Sequence, residues 1–123
     1  MTIEESIAKV DRIHPNSMPI DVKIGILSRI DQYVYEEILQ RREGAEDERF
    51  QEYTVDDTQR TLLVPPPYDE LYVYRLDGEI SYEDREDERQ ANAMALYNQS
   101  MLDYAKRYAR EHRAKRQPRP KYY

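Results

Sequence analysis

At 123 residues the chain is one domain by length, and with 39% hydrophobic against 36% charged residues its core must be thin. It contains no Cys, which excludes a disulfide framework, a thiolate nucleophile and a thiolate-ligated zinc finger. The net charge of −6 hides an asymmetry: residues 1–105 carry 11 basic and 24 acidic side chains (−13), residues 106–123 carry 8 basic and 1 acidic (+7). An acidic body with a basic tail suits docking on something acidic, either nucleic acid or another protein surface. Twelve Tyr against one Phe and no Trp favour half-buried positions and interfaces, where a hydroxyl finds a partner. No apolar run approaches the roughly 20 residues that span a membrane, and no signal-peptide core follows Met1, so a soluble protein made in a cytoplasm is expected.

In chain order, Thr2 and Glu5 fit a capping box, and Ile3, Ile7 and Val10 share one helical face. That first helix must stop before Pro15, which pushes the preceding residue out of the α region. Asp21 is the expected cap of a second helix running to about Arg42, with a stripe of Ile26/Leu27, Ile30, Val34 and Ile38. Gly25 within it costs helix propensity and so marks a candidate close helix contact. From Glu43 to Asp57 there are seven acidic residues against one Arg. This reads as a long solvated loop, 43–60, with room for a short strand or hairpin around Tyr53 or Thr61–Val64 before the third helix.

A third helix is expected from about Tyr68 to Tyr82, carrying Leu71/Tyr72, Leu76 and Ile80. The charged run EDREDERQ, 83–90, is either a connection or the solvated part of one long helix. The last helix runs from about Glu86 to Arg113 with Met94, Tyr97, Met101, Ala105 and Tyr108 at helical spacing. Pro118 and Pro120 end it and leave residues 114–123 as an extended basic arm. The expected fold is thus mainly α, a small bundle of about four helices over residues 1–113.

Most catalytic chemistry is absent from the pattern. His14 and His112 are not spaced i, i+4 as two ligands on one helical face would be, so no metal is expected. The serines lack a G-x-S-x-G context, and three Gly cannot build the usual phosphate-cradling loops. The carboxylates Glu79 and Glu83 lie at i, i+4 in a densely charged stretch, where a wet face is the better reading than an acid–base pair. No enzyme activity and no cofactor are expected. Arg113, Lys115, Arg116, Arg119, Lys121, Tyr122 and Tyr123 form the densest basic and aromatic cluster. It can dock on an acidic protein, contact nucleic acid in a salt-dependent way, or remain solvated.

The order of parts resembles the small head–tail connector, or adaptor, proteins of long-tailed bacteriophages and the prophages of Gram-positive bacteria. The stretches that carry the likeness are DRIHPNSMP with IGILSRIDQYVYEEIL, TLLVPPPYDELYVYRLDGEISY, and NAMALYNQSMLDYAKRYAREHR. One departure is Asp84-Arg85, where relatives tend to have an Asn-Gly break. The resemblance implies a virion protein of the neck, assembled in the host cytoplasm into a homo-oligomeric ring of about a dozen copies. Such a ring sits between the portal protein and a tail-side neck or tail-completion protein, and DNA passes through without sequence-specific contact. The basic arm would then reach the portal or a neighbouring subunit. The alternative from the residues alone is a small phage-encoded nucleic-acid-binding regulator that uses the basic tail.

PPPY, Pro65–Tyr68, also matches the pattern that WW-type domains read as an extended polyproline ligand. Its setting between LLV and an apolar helical stripe favours a structural corner instead. Pro67 would occupy the first helical turn, Tyr68 would face the core, and Asp69 would sit at the positive end of the third helix.

Overall fold

A computed structural model describes residues 1–39 and 49–115, with side chains described as far as residue 112. Four helices form a small bundle, as the sequence pattern implies: α1 (Ile3–Ile13), α2 (Ile20–Val34), α3 (Glu70–Glu83) and α4 (Asp87–Lys115). α3 lies centrally, packed against α1, α2 and α4. The three-residue connection Asp84–Glu86 makes α3 and α4 antiparallel neighbours.

α1 starts where its capping box places it. The Thr2 hydroxyl accepts from the Glu5 N–H at 3.1 Å, and the Glu5 carboxylate accepts from the Thr2 N–H at 2.8 Å. Two more N-terminal N–H groups are satisfied by another part of the chain, Ile3 by Arg60 O at 3.0 Å and Glu4 by Thr58 O at 2.9 Å. α2 departs from its expected bounds at both ends. Pro19, not Asp21, occupies the cap position, and the Asp21 carboxylate accepts from the adjacent Val22 N–H. The α-helix ends at Val34 and widens into a π-helical turn, Tyr35–Leu39. The continuation to Arg42 and the acidic residues 43–48 lie outside the described residues.

No strand forms among the described residues; an isolated bridge between Thr2 and Thr61 stands where a strand or hairpin was expected. The cause is where the backbone donors of this segment go. Tyr53 N–H donates to Ser28 Oγ, Leu62 N–H to Met1 O, Leu63 N–H to Asp31 Oδ2, and Val64 N–H to the Tyr72 hydroxyl. Three of those four acceptors are side chains, so no neighbouring strand is needed. Nor is the second half of the acidic loop simply solvated. Thr54 and Asp57 form a capping box around a 3₁₀ turn, Val55–Asp57, and Tyr53 is buried in the core.

The centre of this arrangement is Asp31, a fully buried carboxylate. Its Oδ2 accepts from the Tyr53 hydroxyl at 2.5 Å and from Leu63 N–H at 3.0 Å, and its Oδ1 accepts from the Tyr72 hydroxyl at 2.5 Å. One side chain thereby ties α2, the irregular segment and α3 together. Burial raises the Asp31 carboxyl above its ordinary range, against the three donors that favour the charged form. Burial and the facing carboxylate likewise push both tyrosine hydroxyls up, so they remain protonated donors.

Gly25 does not mark the close contact expected of it: a Cβ there would meet only the end of Arg29, at 3.8 Å. Gly78 has that role, since a Cβ there would lie 2.9 Å from Met94 Sδ and 3.6 Å from Ala93 Cβ on α4. Gly25→Ala should therefore stabilise the protein by about 1 kcal/mol, a rise of roughly 4 °C in thermal midpoint. Gly78→Ala should raise the midpoint less than Gly25→Ala in the same melts, because Met94 must move aside.

Asp31→Asn should cost about 1–3 kcal/mol, because the amide turns one acceptor into a donor and strands a buried hydroxyl or N–H. The loss should depend on pH. The folded pKa of Asp31 is raised, so its contribution is fullest below the ordinary value of 3.8 and is lost as pH rises through the folded value. The amide cannot titrate, so urea melts should show the gap between variant and wild type narrowing from the acid side towards neutrality.

Candidate functional site

The corner singled out in the sequence is a turn, not the first turn of a helix. Tyr68 N–H donates to Pro65 O at 3.0 Å, closing Pro65–Tyr68, and the Pro66–Pro67 peptide is cis. α3 begins only at Glu70, so Pro67 is not its first helical residue, and the three prolines are exposed. Asp69 occupies the cap position without a side-chain cap bond; it is buried, and its carboxylate lies 3.5 Å from the Met1 nitrogen. A closed turn does not present the extended segment a WW-type domain reads.

Tyr68 is half-buried against α4. Its ring centroid is 5.8 Å from that of Tyr104, which stands 6.1 Å from Tyr108, which in turn stacks on His112 at 3.7 Å. The residues 104, 108 and 112 recur every fourth position and so share one face of α4. Arg107 donates to the Tyr68 hydroxyl at 3.3 Å and pairs with Glu111 at 2.8 Å. Beside the ladder lies an open cavity of about 280 Å³, walled by Leu39, Pro65, Pro66 and the same aromatic rings. Burial pushes the Tyr104 hydroxyl up to about 12, so it remains neutral in ordinary buffers. Of the basic arm, Arg113 and Lys115 lie in the last turns of α4 without described side chains. Arg116, Arg119, Lys121, Tyr122 and Tyr123 lie outside the described residues.

A second constellation, which the sequence does not announce, forms where the end of α1 meets the α3–α4 connection. His14, the C-cap residue of α1, is buried and contacted by carboxylates at both ring nitrogens. Nδ1 lies 2.6 Å from Asp77 Oδ1 on α3; Nε2 lies 2.9 Å from Glu86 Oε1 and 3.6 Å from Asp84 Oδ2. Arg89 on α4 donates to Asp77 Oδ1 at 3.0 Å and to Ile13 O at 3.2 Å. Both connection carboxylates reach the ring because Arg85 between them adopts φ 59°, the left-handed conformation. Arg85 N–H then bonds Tyr82 O at 3.2 Å and Glu86 N–H bonds Ser81 O at 2.8 Å, a Schellman ending for α3. The chain thus does break between the third and fourth helices, with Arg85 where a glycine would be unstrained.

Glu79, on α3, pairs with Arg75 one turn away at 2.9 Å. Nearby, Lys23 is buried and donates to Asp11 at 2.8 Å. Partial burial acts to raise the Asp11 carboxyl, but Lys23 and Asn16 outweigh it and hold it below the ordinary range. No protein-family model, curated protein or solved structure matches the chain.

Tyr68→Ala should cost about 2 kcal/mol by removing the first rung of the aromatic ladder, whereas Tyr68→Phe should stay within about 0.5 kcal/mol. Thermal melts of the two variants check this. Equal behaviour of both would contradict a packing role for the ring.

Proposed function

We propose that the chain is a structural subunit of a head–tail connector ring in a bacteriophage neck, with no catalytic role. The observation that carries this reading is the presence of exposed apolar side chains on several elements, α2 and α4 among them. Ile20 and Val22 stand out at the start of α2, 52% and 44% exposed, and Leu96 and Leu102 on α4, 50% and 48% exposed. A closed ring is built from head-to-tail contacts, which need two unlike surfaces on one subunit. α4 suits such a contact. Its 29 residues extend about 43 Å, and Ala95, Asn98, Leu102, Ala105 and Ala109 follow a heptad-like spacing along it.

Charge supports the same reading. An acidic body disfavours phosphate contact, as a channel through which DNA must slide requires. In this proposal the arm from Arg113 onward, with Lys115, Arg116, Arg119, Lys121, Tyr122 and Tyr123, docks on the acidic surface of the portal or of a neighbouring subunit. The ring sits in the virion neck between the portal and a tail-side protein, after assembly in the host cytoplasm.

Electron microscopy of the virion neck should find this helical subunit repeated around the channel below the portal; a neck without it would overturn the proposal. Leu102→Glu should abolish ring assembly on the portal while leaving the thermal midpoint of the isolated chain within about 2 °C, since the side chain is exposed. Assembly unaffected by that charge would remove α4 from the interface.

A further inference from the structure

We propose that His14, Asp84 and Glu86 form a divalent metal site, of a kind suited to Zn²⁺, that fastens the end of α1 to the α3–α4 connection. The argument starts from the imidazole. A neutral ring has one N–H donor and one lone pair. Asp77 Oδ1, 2.6 Å from Nδ1 and itself held by Arg89, is an acceptor for the tautomer protonated at that nitrogen. The Nε2 lone pair is then left facing two carboxylate oxygens at 2.9 and 3.6 Å. In that tautomer three acceptors converge on one point, one of them on a buried ring, and a cation between them would satisfy all three.

The spacing fits a metal ion in that place. The three candidate ligand atoms lie within 4.8 Å of one another. Ligands at about 2.0–2.1 Å around a tetrahedral zinc ion are separated by about 3.4 Å, and the two Nε2 distances bracket that value. Two carboxylates match the charge of a divalent cation. A carboxylate on the far ring nitrogen is the arrangement that orients a ligating histidine and raises its basicity. Asp84 and Glu86 are about half exposed, 52% and 46%, which leaves an entry path and a fourth position for water. Calcium would need six to eight oxygens, which this corner does not bring together, whereas an imidazole with two carboxylates suits zinc. Asp84 and Glu86 are neighbours in sequence on either side of Arg85, and the left-handed backbone there turns both towards His14.

The test uses the full chain freed of metal by chelation, titrated with Zn²⁺ by calorimetry and melted with and without the ion. One equivalent should bind and raise the thermal midpoint. Asp84→Asn and Glu86→Gln, both at exposed positions, should each weaken binding at least tenfold, and Asp77→Asn should weaken it about 10- to 100-fold. X-ray absorption of the loaded protein should show a nitrogen/oxygen shell with imidazole. His112→Asn should leave binding unchanged. Absence of binding to the wild type would mean that a proton on Nε2 supplies the charge, and would overturn the site. So would a midpoint rise that persists in the Asp84→Asn/Glu86→Gln double variant. The outcome is independent of whether the chain forms a ring.

Discussion

The fold depends on one buried carboxyl group. Asp31 sits on the inward face of α2 and receives two tyrosine hydroxyls and a backbone N–H from the irregular segment and from α3. An isolated carboxylate in such a place would be costly; with three donors its oxygens are satisfied and the charge is tolerated. The consequence reaches beyond the pair contacts. The segment from Tyr53 to Val64 runs without a strand partner, and its buried ends at Tyr53 and Leu62–Val64 must satisfy their backbone groups somewhere. Asp31, Ser28 and the Tyr72 hydroxyl are those acceptors, so the polar hub replaces the sheet that an extended apolar LLV segment would otherwise need.

The same hub explains what was and was not legible in the sequence. The four helices were, because Ile3/Ile7/Val10, Leu27/Val34 and Leu76/Ile80 repeat at helical spacing and Thr2–Glu5 is a local capping signal. The irregular segment was not. Its conformation is set by partners on other elements, Met1, Ser28, Asp31 and Tyr72, and propensity carries no information about such partners. A signal did exist: Asp31 falls between Leu27 and Val34 at i+4 and i+7, on the apolar stripe itself. A carboxylate on a core face, in a chain rich in Tyr and poor in Phe, asks for hydroxyl donors. Tyr53 and Leu63 therefore bond Ser28 and Asp31 instead of the neighbouring strand that their apolar pattern suggests.

The His14 corner was hidden for a different reason. A metal-ligand signature in sequence is a short regular spacing on one element, whereas His14, Asp77, Asp84 and Glu86 belong to the end of α1, the middle of α3 and the α3–α4 connection. The decisive feature is a backbone conformation. Arg85 is a poor residue for φ 59°, and nothing in EDREDERQ advertises that one of its charges occupies a left-handed position. The Asp-Arg pair looked like a departure from a glycine break, yet the helix ends there because the Schellman bonds to Tyr82 and Ser81 can still be made.

These two polar centres lie along a single helix. α3 sends Tyr72 to Asp31 near its start and Asp77 to His14 at its middle, and Gly78, directly after Asp77, lets α4 approach to within contact of Met94. Little of α3 is left to solvent, so the helices packed around it take their angles from these contacts. The connection carboxylate Asp84 also borders a groove of about 280 Å³ formed with Met18, Pro19 and Val22, beside one of the two apolar surfaces proposed for ring assembly. The other surface is on α4, which begins one residue after Glu86. A cation held by His14, Asp84 and Glu86 would therefore fix the angle between the α1–α2 corner and the α3–α4 hairpin. That angle sets how the two proposed assembly surfaces are presented to neighbouring copies, so site occupancy would act on the geometry of the ring without touching its contacts.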